Sequence, residues 1–291
     1  MFKIVLAFIL SIAVVGNSYS KTDTTTIHPY KLALVLSSGA GVLVGSYIYV
    51  QNSWWSEQSS DFHFDDGSDL RYAKNIDKGG HFFGGIIVAD LFHSNLKWAG
   101  ISEKKAFWYG ASMASFVQLG IEMKDAYAPY WGFSLWDFGA GTLGALVPFA
   151  EHYWKPMEYI DFKFSYYKRS NHYWDLGIEQ KPWAPPHPHA YHDDYVNQTY
   201  WLTVYPLKNH SIDIGISLGI GLDDTQYLNE YNSKDGGNNE LYIALDYDLK
   251  RVLKRWNSPT AKRIKHWINY FKIPAPAIRI SPSIELYPIF L

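Results

Sequence analysis

The sequence predicts an α+β protein: an N-terminal four-helix apolar bundle followed by an antiparallel β-sheet with a basic helical stretch. Three observations carry this. Apolar segments with small residues at four-residue spacing recur through 31–155. Period-two alternation marks several segments of 156–291. A cationic, Trp-bearing stretch lies between the last two alternating segments. The organisation expected is therefore a signal peptide at 1–20, a helical membrane-associated domain at 21–155 and a mainly antiparallel β region at 156–291.

Met1-Phe2-Lys3 supplies a short basic start, 4–15 an apolar run, and Ser18 and Ser20 small residues at the end. That is the layout of a cleavable secretory signal, with cleavage expected after Ser20. The run is shorter than the roughly 20 residues that cross a bilayer. The chain has no Cys, which excludes a lipid anchor on cysteine and any disulfide. The expected location is the periplasm or outer envelope of a Gram-negative bacterium, with membrane association.

A net charge of -2 argues against bulk attraction to nucleic acid. Aromatic residues make up 18%, with 12 Trp and 23 Tyr. Such side chains suit membrane–water interfaces, because each joins an apolar body to a polar tip. A membrane lipid surface is the expected partner. Protein partners, cofactors and metal content are left open.

The first helix, 31–50, is just long enough to span a bilayer and carries Gly41-x-x-x-Gly45, a spacing that permits close helix approach. The second runs over 80–96. The third, 103–126, gathers Gly110, Ala111, Ala114 and Ser115. The fourth, 135–152, gathers Gly139, Gly141, Gly144 and Ala145. The uncharged parts of the third and fourth are short for full spans, so a compact bundle is expected as readily as four crossings.

In the second half, 211–222 alternates Ile212, Ile214, Ile216, Leu218, Ile220 and Leu222 with Ser, Asp and Gly, which predicts a strand with its aliphatic face buried. Segments 159–166, 200–204, 241–247 and 278–290 read the same way, with Pro282 and Pro288 placing the last at an edge. Stretch 249–271 interleaves Lys250, Arg251, Lys254, Arg255, Lys262, Arg263 and Lys265 with Trp and aliphatic residues, and 257–260 divides it into two short helices. It suits either an anionic membrane surface or a solvated helix pair over the sheet. The proline-rich 182–194 holds His187, His189, His192, Asp193 and Asp194, which could bind a metal or be an exposed polar loop.

The chemistry-bearing residues gather in the helical half. Asp77 falls in the first turn or at the cap of the second helix, where a carboxylate can accept backbone N–H bonds, and His81 one turn on shares its side. Lys78 lies between them. Glu122 and Asp125 share a face near the end of the third helix. Ser134 is a good N-cap for the fourth, with Asp137 at its third position. His81, Glu122, Asp125 and Asp137 form the candidate catalytic set, supported by Asp77, Lys78 and Ser134. Three carboxylates and an imidazole could bind a divalent metal or supply an acid and a base. Capping and ion pairing account for the same residues without catalysis.

The order Asp77-Lys78-x-x-His81, Glu122-x-x-Asp125, Gly132-Phe133-Ser134-x-x-Asp137 and Gly144-Ala145 resembles the YfiM-like family of predicted periplasmic lipoproteins. It is similar, more distantly, to the helical core of VanZ-like proteins, linked to glycopeptide-antibiotic resistance. Gln198-Thr199-Tyr200-Trp201-Leu202, Leu245-Asp246-Tyr247 and 274–282 resemble the long Bacteroidota-type members of the first family. Gly141 and Ala126 stand where the family often has Asn and Gly, and the lipid-bearing Cys is absent. The resemblance implies an envelope location and no established activity. Three readings follow: a non-enzymatic envelope protein with a structural, lipid-handling or assembly role; an envelope hydrolase or transferase on lipid- or glycan-linked substrates; and a small outer-membrane β protein.

Overall fold

A computed structural model describes residues 26–53, 59–129, 131–172, 194–208, 213–228 and 234–290. The expected signal peptide and the His-bearing part of the proline-rich connector lie outside them. The chain runs from helices into strands. Helices α1 (Pro29–Ser53), α2 (Ile76–Trp98), α3 (Glu103–Asp125) and α4 (Leu135–Tyr153) come first. Strands β1 (Ile160–Tyr166), β2 (Gln198–Val204), β3 (Ile214–Leu222), β4 (Gln226–Leu228), β5 (Lys234–Gly236) and β6 (Asn239–Tyr247) follow. Two short helices, α5 (Leu249–Val252) and α6 (Pro259–Ile268), precede β7 (Ala275–Ser281) and β8 (Glu285–Phe290).

Helices α2, α3 and α4 pack tightly because small residues meet across their crossings. A Cβ on Gly110 of α3 would strike the Ala89 carbonyl of α2, 2.5 Å away, and Gly144 of α4 lies against the Phe82 carbonyl of α2. The tight packing of the expected four-helix bundle is seen for three helices; α1 lies more loosely along α3, with Val35 near Ala106 at one end and Gln51 Oε1 accepting from Lys124 Nζ at 2.8 Å at the other. Among its described side chains only Val35 is buried, in a small cluster with Leu96, Ala99 and Ala106. Gly41 and Gly45 meet nothing, so their spacing makes no helix crossing within the described residues. Helix α1 is also the one described helix long and apolar enough to cross a membrane.

The main sheet has the order β1-β2-β3-β6-β7-β8, antiparallel throughout, and β4-β5 form a separate hairpin. Segment 278–290, expected as one strand, is a hairpin. Ser281-Pro282-Ser283 breaks it, and the Pro-bearing β8 takes the edge, where a missing N–H costs nothing.

The larger correction concerns which face is buried. Ile214, Ile216, Leu218 and Ile220 are exposed at 42%, 49%, 54% and 39%, while Gly215, Ser217, Gly219 and Gly221 face inward. The inside is polar and aromatic: Lys163, Thr203, Ser217, Glu240 and Asp246 are buried there with Trp201 and Tyr242. The sheet is strongly rolled. Trp201 on β2 and Phe290 on β8 are four strands apart, about 19 Å in a flat sheet, yet their ring centroids lie 5.4 Å apart. The far edge of β1 bonds to the chain entering β7, through Phe164 N–H to the Tyr270 carbonyl (2.8 Å) and Lys272 N–H to the Phe164 carbonyl (2.9 Å). Rolling explains the inversion. The interior holds one layer of bulky rings, and a Cβ on Gly219 would enter the Trp201 ring. Aliphatic side chains from every strand cannot fit there, so they point out.

The helices cover the β1 side of that outer face and reach β2 and β3 at one end, where Tyr200 meets Gly79 and Leu222 is buried with Ile76. Phe82 packs edge-on to Phe162 at 5.1 Å and Phe83 stacks on Phe164 at 5.6 Å. Ile86 and Val147 join Met157, Trp267 and Tyr270 in one core.

Candidate functional site

The site occupies one end of the bundle, where α2 and α4 begin and α3 ends. Both helix N-termini present positive dipole ends, which favour carboxylates in their first turns. A strap at 59–65 holds the α3–α4 turn: Phe133 N–H donates to the His63 carbonyl at 3.0 Å and Asp65 N–H to the Phe133 carbonyl at 3.1 Å. Ser134 caps α4 as the spacing predicts, its Oγ accepting from Asp137 N–H at 3.1 Å.

Six of the seven expected residues converge, with Asp125 at the border. His81 Nδ1 is 3.9 Å from Glu122 Oε1, and His81 Nε2 is 3.9 Å from Asp137 Oδ2. Lys78 Nζ reaches Asp77 Oδ2 at 2.9 Å and Asp137 Oδ1 at 3.2 Å. Asp77 does not cap a helix; it is 2% exposed and points into the cluster. Asp125 is half-buried at the border, where its charge acts on Glu122. Ser134 ties the turn in from two sides, its N–H donating to Glu122 Oε2 at 3.0 Å and its Oγ to Asp69 Oδ2 at 2.5 Å.

Asp69 and Gln118 are members the sequence reading missed. Asp69 pairs with Lys78 at 2.5 Å. Gln118 is buried on α3 one turn before Glu122, and its Oε1 lies 2.9 Å from His81 Nδ1. With the amide oxygen turned to the ring, Nδ1 carries the proton and Nε2 presents its lone pair toward Asp137. The available signal was the spacing, since a polar residue four before Glu122 shares its face.

Burial, and after it crowded negative charge, sets the electrostatics. Burial, then the neighbouring Asp125 and Asp137, push the Glu122 carboxyl up to about 9. Burial and the Asp137 charge push Asp77 well above the usual carboxylate range. Asp137 is also raised, by burial, although His81 opposes it. Asp69 stays low despite burial, because Lys78 and Ser134 donate to it. Two groups have oxygen and nitrogen atoms close enough to surround a metal ion: His81, Glu122 and Asp137, and Asp69, Asp77 and Asp137. Such an arrangement can exchange protons or hold a cation.

The connector's other expected ligand, Asp194, is structural. It is fully buried and accepts from Tyr166 Oη at 2.7 Å and Asn197 Nδ2 at 2.8 Å. A second polar cluster joins the bundle to α6. Tyr270 Oη donates to Asp90 Oδ2 at 2.8 Å, His266 Nε2 also bonds Asp90, and His93 Nε2 meets Glu103 at 2.9 Å. Nearby, burial lifts Glu151 to about 7, with Lys250 and His266 opposing and Asp161 and Asp90 reinforcing. A folded carboxyl that keeps its proton loses stability as pH rises from about 4.5 through 7, because the unfolded one ionises first. The loss saturates near 3 kcal/mol at most. Glu151→Gln is therefore expected to gain about 2 kcal/mol in urea unfolding at pH 8 and almost nothing at pH 4.5. Equal gains at both pH values would contradict this.

No family model, curated protein or solved structure matches this chain.

Proposed function

We propose that this chain is a cell-envelope protein held at a membrane by its own apolar surface, with the outside of the rolled sheet against lipid. The carrying observation is the composition of that outside. One row crosses five strands as Leu202, Leu218, Ile243, Ile278 and Leu286. A second reads Val204, Ile216 and Leu245. No outward position of β2, β3 or β6 carries a charge, while the inside holds ions. Soluble sheets have the opposite arrangement, and membrane barrels have this one. The six strands fall short of the eight usual for a closed membrane barrel. Sheet, bundle and the apolar α1 therefore support membrane attachment together. Lys254, Arg255 and Trp256 are exposed side by side, as suits an anionic lipid surface. Export, and the envelope family the motifs resemble, belong to this same reading.

Because the chain has no Cys, single cysteines can be spin-labelled cleanly. Labels at Leu218→Cys and Ile243→Cys in liposomes are expected to be accessible to oxygen and shielded from a water-soluble nickel reagent, with Lys254→Cys showing the reverse tendency. Water exposure at both sheet positions would refute the reading. Leu218→Lys is expected to weaken membrane insertion of the sheet by about 2–4 kcal/mol if it lies near mid-bilayer.

A second reading, an envelope hydrolase or transferase on lipid- or glycan-linked substrates, rests on the convergence at His81. An oriented imidazole between two carboxylates is the equipment of acid–base chemistry. Caps alone would not leave Glu122 Oε1 and Asp77 Oδ1 buried without a hydrogen-bond partner among the described residues.

A further inference from the structure

We propose that His81, Glu122 and Asp137 bind a divalent transition-metal cation, of the Mn²⁺ or Zn²⁺ class, through His81 Nε2 and one oxygen of each carboxylate. The inference deepens the second reading, since it concerns the same residues, but it stands on geometry alone.

The two acidic groups at this end of the bundle differ in one respect. Asp69, Asp77 and Asp137 surround the Lys78 ammonium, at 2.5, 2.9 and 3.2 Å. Their cation is supplied by the chain. No side-chain cation reaches Glu122 in the same way among the described residues. Glu122 is 1% exposed, and its Oε1 points at His81 with no hydrogen bond. A buried carboxylate oxygen is costly unless something positive meets it. The charges of Asp125, Asp137 and Asp69 act on the same carboxyl and strengthen that demand.

The donor set fits. His81, Glu122 and Asp137 offer atoms within 4.8 Å of one another. Atoms bound to one ion at 2.0–2.2 Å lie about 3.0–3.6 Å apart, so the 3.9 Å from His81 Nε2 to Asp137 Oδ2 must close by a few tenths of an ångström to about one, while Glu122 Oε1, 3.9 Å from the other ring nitrogen, must swing round to Nε2. Gln118 does for His81 what an outer partner does for a metal-bound histidine: its Oε1 accepts a hydrogen bond from Nδ1–H, fixes the ring and leaves the other nitrogen free to coordinate. Ser134 does the same for Glu122 by occupying Oε2 and leaving Oε1. One imidazole with two carboxylates suits borderline cations. Three protein ligands leave positions for water or substrate. His81 is partly exposed, its side chain at 20%, which gives that position access.

The test uses the full chain in detergent, stripped with chelator and titrated with Mn²⁺ while free Mn²⁺ is followed by its EPR signal, then competed with Zn²⁺. The expected result is one saturable equivalent, a raised melting temperature with metal, and at least tenfold weaker binding in His81→Gln and Glu122→Gln. Glu103→Gln, in the second polar cluster, is expected to bind like the parent. Melting of each variant in chelator shows whether it is folded, and Asp137→Asn replaces any that is not. Absence of saturable binding by the parent overturns the proposal, as does unchanged affinity in the folded variants. The acid–base reading fails separately, if His81→Gln alters no envelope phenotype that a deletion of the protein produces.

Discussion

Asp246→Ala is expected to cost about 3–5 kcal/mol of stability, the range seen when one partner of a buried ion pair is removed. Asp246 lies inside the rolled sheet and is fully buried. Its Oδ2 meets Lys163 Nζ at 3.0 Å and accepts from Thr203 Oγ1 at 3.1 Å, and its Oδ1 accepts from Tyr247 N–H at 2.7 Å and sits 4.0 Å from Lys272 Nζ. Removing the carboxylate leaves two ammonium groups with no exposed side-chain surface facing each other across a small interior. Their remaining hydrogen-bond acceptors include the backbone carbonyls of Tyr247 for Lys163 and of Leu245 and Ile273 for Lys272. Those help, but they carry no charge. Denaturant unfolding in detergent measures the loss. The double variant Lys163→Met, Asp246→Leu is expected to recover part of it, since removing both members avoids one uncompensated charge. A loss below about 1 kcal/mol would mean that water reaches the interior, and the rolled sheet would need redrawing.

The same interior explains what the sequence could and could not tell. Alternation at 241–247 and over 214–222 of the segment 211–222, whose first two residues lie outside the described ones, correctly marked strands, because period two is a property of the backbone. It does not say which side is inside. Burying the aliphatic side is the usual choice in water, and it fails here because the inward positions belong to Gly215, Ser217 and Gly219, with Trp201 and Tyr242 filling the room they leave. A clue was present: all the charges of β1 and β6, Asp161, Lys163, Glu240 and Asp246, fall on the side opposite the aliphatic and aromatic row. The helix ends were legible for a local reason. Ser134 and Asp137 form a cap that needs no tertiary information. His81, Glu122 and Asp137 were legible because helix periodicity fixes faces, and the turns are short enough to bring the ends together. Asp69 was hidden in an acidic turn at 65–69, where Asp65 accepts from Gly67 and Ser68, so nothing local sets it apart. The place of α1 was less legible, because an apolar helix long enough to span a bilayer can meet lipid or protein, and among its described side chains only Val35 is buried.

Gly144→Val is expected to abolish the folded state, and Gly144→Ala to cost at least the 1–3 kcal/mol typical of overpacking. The reason is what stands opposite. A Cβ on Gly144 would lie on the carbonyl of Phe82, and one on Gly85, from the facing helix, on the carbonyl of Gly141. The two helices are thus interlocked backbone to backbone. Side chains can rotate away from a clash, but a carbonyl inside a helical hydrogen-bond ladder cannot. Relief requires α2 and α4 to part, which would also separate His81, next to Phe82, from Asp137. Metal or proton chemistry at the site should therefore fall with stability in this variant. Gly139→Ala supplies the contrast on the same helix. Nothing lies within 4 Å of its position, so the gain in helix propensity, about 0.5–1 kcal/mol, should appear without a penalty. Thermal melts of the two alanine variants are expected to move in opposite directions. If both rise, α2 and α4 do not approach as closely as described, and the small-residue spacing that marks these helices has another cause.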